Sequence, residues 1–307
     1  MEPVTWNRKY WDIINNLYWS PKYLGLKSIS PKKWKKEGDS ISILVKDIAN
    51  INAPLYSRSI NSKEIFTHLA TQEEILNHLF NLTFAIAGDE IISRLFCKPL
   101  GINDPGPFSS LGQEISSRYG WGPNKNVTQQ DGLFVSKSSA VGIELKLDTS
   151  SSPEQIAKYL ALMALEEKTS GNKRDLGLMF IIPDGSVADL RRKTGVSGSK
   201  ITADFLRLID HAKFNSTLKK IYEEQKKQIT SVSERIRINV ATWTEFRNAI
   251  AGIERELDCS KPGDQTLYRL LSGFRAQLEA HENTGIEPRP DRFTWTTSDI
   301  EVVKSRK

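Results

Sequence analysis

Apolar positions change period along the chain, and the change marks out the elements. From Thr71, the stretch TQEEILNHLFNLTFAIAGDEIISRLF places Ile75, Leu76, Leu79, Leu82, Ile86, Ile91, Ile92 and Leu95 on one broad stripe. That spacing predicts a long core helix or two short ones. Thr71 with Glu74 fits a capping box at its start. The Gly- and Pro-rich GINDPGPFSSLGQEISSRYGWGPNKN that follows reads as loop, with a short helix near Ser110 to Tyr119. The period then drops to two. Strands are predicted around Gln129 to Val135, Val141 to Leu147 and Leu176 to Ile182, with a helix from Pro153 to about Lys168 between the last two.

Beyond them, KITADFLRLIDHAKFNSTLKKIYEEQKKQI reads as helical, RIRINVATW as a strand, and TEFRNAIAGIEREL as a helix that Thr244 is placed to cap. A further helix, DQTLYRLLSGFRAQLEAHE, precedes a Pro-broken tail. Helices alternating with strands in this order predict an α/β layering around a mixed sheet. KTGVSGSK, with Gly195 and Gly198, reads as a flexible basic loop.

The first 70 residues differ in character. TWNRKYWDIINNLYWSPKYLGLKSISPKKWKK interleaves Trp and Tyr with Lys and Arg. Trp6, Tyr10, Ile13, Ile14 and Leu17 fall at helical spacing and read as core packing. The PKKWKK run, with Lys32, Lys33, Lys35 and Lys36, is the better candidate for phosphate contact, set against the default of a solvated charged loop. The expected organisation is a 1–70 aromatic and basic extension, a 71–250 core and a 251–307 helical extension.

Composition narrows the function classes. With 38% hydrophobic and 26% charged residues among 307, the chain suits a globular protein with a real core. A net charge of +6 permits a polyanionic partner without demanding one. Cys97 and Cys259 are the only cysteines and the four histidines lack close ligand spacing, which disfavours a disulfide framework and a zinc site. The charged start and the shortness of the longest apolar run, LGLMFII, lead to the expectation of a cytoplasmic protein without a membrane span. No phosphate-binding glycine loop and no Ser-His-Asp or Cys-His order stands out.

One stretch does carry chemistry. In DGLFVSKSSAVGIELKLD, Val141, Ile143, Leu145 and Leu147 face one way, while Gly142, Glu144, Lys146 and Asp148 face the other. Glu144 and Lys146 then stand about 7 Å apart along the strand. A hairpin through SKSSA brings Asp131 alongside Glu144. Two carboxylates and a lysine on one patch suit metal-assisted hydrolysis of a phosphodiester. Mg²⁺ prefers oxygen ligands and takes one or two protein carboxylates with water and phosphate, and a nearby lysine offsets charge growing on phosphorus.

At these residues the sequence resembles the PD-(D/E)xK nuclease superfamily. Asp131, Glu144 and Lys146 fill its Asp, Glu-x-Lys pattern, and Gln130 stands where the name-giving Pro would be. Gln155 and Tyr159 look like the Gln-x-x-x-Tyr element of its RecB-type branch, with Lys158 an adjacent candidate for phosphate contact. The resemblance covers Thr71 to Trp243. It implies a restriction-endonuclease-like core with a mixed sheet flanked by helices, Asp131 and Glu144 as metal ligands with the Leu145 carbonyl beside them, and a catalytic Lys146. Members also use a Glu from the helix before the hairpin; Glu90 is the choice here, with Glu73, Glu74 and Glu114 as rivals.

The expected function is a Mg²⁺-dependent DNA endonuclease, with Mn²⁺ able to substitute, in restriction, phage defence or repair. The alternatives are a catalytically inactive DNA-binding or scaffold protein of the same fold, or an RNA nuclease. The sequence leaves open a homodimer or a partner subunit. Each feature also has a bland account. Asp131-Gly132 is a common turn pair, Glu-x-Lys is often a solvent-facing pair, and Ser152-Pro153-Glu154-Gln155 is a capping box that explains Gln155 without function.

Overall fold

The computed structural model describes residues 73–110, 127, 131–147, 152–202, 205–281 and 283–286. The N-terminal segment with Lys32, Lys33, Lys35 and Lys36, the Thr71 cap, the helix expected near 110–119 and the C-terminal tail lie outside them.

Helix α1 (Glu73–Ile86) ends before Gly88, whose φ of +87° breaks the long apolar stripe. Helix α2 (Asp89–Ile92) then runs on through a π-type turn at Ser93–Cys97 and a 3₁₀ turn at Lys98–Leu100. Two helices form, not one. Strands β1 (Ser109–Ser110), β2 (Gly132–Val135), β3 (Ser139–Leu145), β4 (Asp175–Ile182) and β7 (Arg237–Thr242) form a sheet in the order β1-β2-β3-β4-β7. β1, β2 and β3 pair antiparallel; β3, β4 and β7 pair parallel. Helix α3 (Pro153–Ser170) makes the crossover between β3 and β4. The result is an α/β fold with a mixed five-stranded sheet.

Both faces of the sheet are covered, so its strands read as nearly continuous apolar runs. On one side Phe134, Val141, Ile143, Leu145, Met179 and Ile181 meet α1, α2, α8 (Trp243–Glu256) and α9 (Pro262–Ala280). Phenylalanines tie this layer together: the Phe80–Phe84, Phe84–Phe96 and Phe96–Phe134 ring centroids are 4.8, 4.9 and 5.0 Å apart. Phe274 of α9 packs 5.5 Å from Phe84, so the helix expected in a C-terminal extension closes the same core. On the other side Leu133, Val135, Ala140, Leu178, Phe180 and Ile182 meet α3, α4 (Val187–Thr194), α6 (Ser216–Glu224) and α7 (Lys226–Arg235).

The stretch read as helical from Lys200 is helical in pieces, after a first two residues that form a strand. Lys200–Ile201 (β6) pairs with Val196–Ser197 (β5) across Gly198, so the basic loop is a small hairpin. A short α5 (Phe205–Leu208) follows, and Asn215 caps α6 by accepting from the Leu218 N–H at 2.8 Å. The cap of α8 is Thr242, in a reciprocal capping box with Glu245, and not Thr244, whose hydroxyl donates to Asp184. Among the described residues no helix is long and apolar enough to cross a membrane.

Candidate active site

Two glycines let the covering helices close on the β2–β3 hairpin. A Cβ at Gly132 would lie 2.8 Å from the Phe80 ring, so only glycine lets α1 approach β2 this closely. On the opposite face, a Cβ at Gly142 would meet the Tyr159 ring at 3.1 Å and the Met163 methyl at 3.2 Å, so α3 closes in there. The Asp-Gly pair opens β2. Its glycine seats a helix.

The register does the next step. Gly132 pairs with Ile143, and one step further Asp131 stands opposite Glu144. Asp131 Oδ2 accepts from the Leu145 N–H at 2.7 Å, and Oδ1 from the Asn77 amide at 2.5 Å. Asn81, one turn further along α1, donates to the Asp131 carbonyl and to that of Asn77. Lys146 Nζ lies 2.8 Å from Glu144 Oε1 and 3.3 Å from Glu73 Oε1. The Lys146 backbone is held as well: its N–H donates to the Ile181 carbonyl, and its carbonyl accepts from the Trp243 indole at 2.8 Å.

Helix α3 completes the arrangement. The Gln155 amide donates to Glu144 Oε1 at 3.0 Å, and the buried Tyr159 hydroxyl donates to Glu144 Oε2. Ser152 caps α3 without a side-chain hydrogen bond, so the capping-box account of Gln155 fails: its side chain serves Glu144. Their spacing of four puts both residues on one helix face. Lys158, next to Tyr159, is half-buried on the same helix.

Asp131, Glu144, Lys146, Gln155 and Tyr159 thus meet at the C-terminal end of β3, the end at which open α/β sheets bind ligands. The structure does not bring Glu90 to them. Glu90 follows the break at Gly88, its side chain is 83% exposed, and it pairs loosely with Arg94 at 3.9 Å. Glu73, a rival on the sequence, takes the place by pairing with Lys146; Glu114 and the side chain of Glu74 lie outside what is described. Sequence reasoning missed Asn77 and Asn81. The signal was present, because Glu73, Asn77 and Asn81 repeat every four residues, but a polar stripe on a helix ordinarily faces solvent.

Three carboxylates and one ammonium leave the cluster short of positive charge. Burial, and then the Glu144 charge, raise the Asp131 carboxyl well above the usual range, against the pull of Lys146. Burial likewise raises Glu73, with Lys146 opposing. Burial works against the charge on Lys146, but Glu144, Asp131 and Glu73 outweigh it and hold the ammonium above its ordinary range. Burial and Glu144 push the Tyr159 phenol well up, so it stays a donor. The Asn77 Oδ1 is buried and has no partner among the described residues, a cost of about 1–3 kcal/mol for such an atom. Among the described residues no group of three His, Cys, Asp or Glu side chains is arranged to hold a metal by itself. A cation here would lean on two carboxylates and on groups from outside the protein. Comparison with protein-family models, with curated proteins and with solved structures finds no match to the chain.

Proposed function

We propose that the protein is a metal-dependent deoxyribonuclease with a restriction-endonuclease-like core, cutting within DNA in restriction, phage defence or repair. One observation carries the reading: Asp131, Glu144 and Lys146, set at the neighbouring ends of β2 and β3, meet in a buried cluster with an excess of negative charge. Hard oxygen donors with excess negative charge suit Mg²⁺ or Mn²⁺. When bound by Asp131 and Glu144, with the Leu145 carbonyl as a further ligand, such an ion would neutralise phosphate charge and acidify a water.

The chain's own groups have distinct tasks. Gln155 and Tyr159 orient Glu144 from α3. Lys146, kept charged by its carboxylate neighbours, faces the scissile phosphate and offsets charge that grows on its oxygens. Lys158 would meet a flanking phosphate, and Lys32, Lys33, Lys35 and Lys36 are the further candidates that the sequence offers.

The test is cleavage of plasmid DNA in Mg²⁺ or Mn²⁺. Chelation is expected to stop it, and Lys146→Ala to slow it at least ~100-fold. Undiminished cutting by Lys146→Ala would remove the lysine from the mechanism. Parallel digestion of RNA separates a deoxyribonuclease from an RNA nuclease.

A second reading, a DNA-binding or scaffold protein that keeps the fold without catalysis, has an observation of its own. Both oxygens of Asp131 and both of Glu144 already accept from protein donors. Calorimetric titration of Mn²⁺ into wild type and Asp131→Asn decides between the readings. A retired site gives the same weak heat for both.

A further inference from the structure

Helix α1 buries Leu76, Leu79, Phe80 and Phe84 in the core, yet at Asn77 and Asn81 it turns amides toward β2. The Asn77 amide gives its nitrogen to Asp131 and leaves its oxygen without a partner among the described residues. A side chain kept for packing alone would carry no such orphan. Local rules broken in this way belong to sites where another demand prevails. The demand here is Asp131, which lies one residue before β2 begins. Asn77 fixes its carboxylate and Asn81 its carbonyl, while Gly132 lets the helix come close enough for both.

We propose that Asn77 is a positioning residue for the metal ligand Asp131, with Asn81 bracing the same residue through its backbone. This rests on the metal-dependent reading above. Asn77 touches neither substrate nor ion. It keeps one carboxylate oxygen turned to α1 and the Leu145 N–H keeps the other against β3, so that Asp131 would hold an ion through its remaining lone pairs. Groups that orient a metal ligand commonly change affinity 10- to 100-fold when removed.

The experiment is Mn²⁺ titration of the full chain, read from the paramagnetic resonance signal of the free ion. It uses wild type, Asn77→Leu, Asp131→Asn and the double variant. Asn77→Leu keeps the volume and removes the amide. It is expected to weaken Mn²⁺ binding about 10- to 100-fold in the wild-type background and to add nothing in the Asp131→Asn background. That non-additivity is the signature of action through Asp131. Equal losses in both backgrounds would make Asn77 a general structural residue and overturn the proposal. So would wild-type affinity in Asn77→Leu where Asp131→Asn has lost it, and that result leaves the metal site standing. If wild type itself fails to bind Mn²⁺, the metal reading falls and this proposal with it. Asn77→Ser is read in the same cycle, so that a leucine variant that does not fold leaves the outcome decided.

Discussion

Two aspartates are buried at opposite ends of the β2–β3 hairpin, and their surroundings push them in opposite directions. Asp104 lies against the turn, 2% exposed; it accepts from the Ser136 and Ser139 hydroxyls and, at 2.9 Å, from the Gly106 N–H. Burial opposes its ionisation, yet these donors outweigh burial and hold the carboxyl below the usual range. Asp131 lies at the open end, 8% exposed, and also has good donors in Leu145 and Asn77. Its carboxyl is nevertheless raised, by burial and by Glu144. Burial separates the two first, weighing more heavily on Asp131; the like charge of Glu144 adds to it, while Asp104 is held by a fuller set of neutral donors. Neutral donors around a lone carboxylate make a finished structural latch, whereas carboxylates crowded around one lysine make an assembly with an excess of negative charge.

The largest effect that would test this contrast is at the latch. Asp104→Ala removes the acceptor of two buried hydroxyls and an N–H and is expected to cost about 3 kcal/mol in urea unfolding, with or without divalent metal. A loss that metal repairs would erase the distinction.

Asp131→Asn should act with the opposite sign. In metal-free buffer near pH 7 it relieves like-charge crowding, and its new amide can donate to the orphan Asn77 oxygen after that side chain flips. A gain of about 1 kcal/mol is expected. The pH dependence follows from the two directions. The raised Asp131 carboxyl makes the folded state bind more protons than the unfolded chain, so wild-type stability falls as pH rises from about 4 through the folded value. The lowered Asp104 carboxyl contributes stability that is present above about 4 and lost as pH falls through its folded value. Urea midpoints from pH 3 to 7 should therefore show the Asp131→Asn advantage opening with pH and the Asp104→Ala deficit closing as pH falls. An Asp131→Asn protein less stable than wild type at pH 7 without metal would break the comparison.

Much of this cluster was legible because it lies within one hairpin and the helix that follows. Period-two alternation set Glu144 and Lys146 on one face, a short turn returned Asp131 beside them, and a spacing of four aligned Gln155 with Tyr159. What was not legible depended on contacts between elements. Whether Glu73 or Glu90 reaches the lysine turns on a helix break at Gly88, a backbone conformation that the apolar stripe running through it conceals. Gly132 and Gly142 declare nothing locally; their role exists only against Phe80 and Tyr159. The breaks within the helical stretch after Lys200 are a different case. Asn215 is an ordinary cap signal that helical periodicity overrode.

The smallest expected effects concern which glutamate joins the crowd around Lys146. Glu73 is 33% exposed and pairs with Lys146 at 3.3 Å, but burial raises its carboxyl, so in Glu73→Gln the lost pair and the relieved burial of charge offset, and stability near pH 7 is expected to change by no more than about 0.5 kcal/mol. It should also loosen the lysine, because the Glu73 carboxylate accepts from the Leu147 N–H as well. Glu90→Gln should change neither the melting temperature nor Mn²⁺ affinity, since its side chain faces solvent and Arg94 has a closer partner in Glu256 at 2.7 Å. Side-by-side thermal melts and Mn²⁺ titrations of the two variants check this. A loss of Mn²⁺ affinity in Glu90→Gln would mean that α2 swings toward the strands when the ion binds, and the excess of negative charge at the open end of the hairpin would then be larger than the carboxylates of α1, β2 and β3 supply.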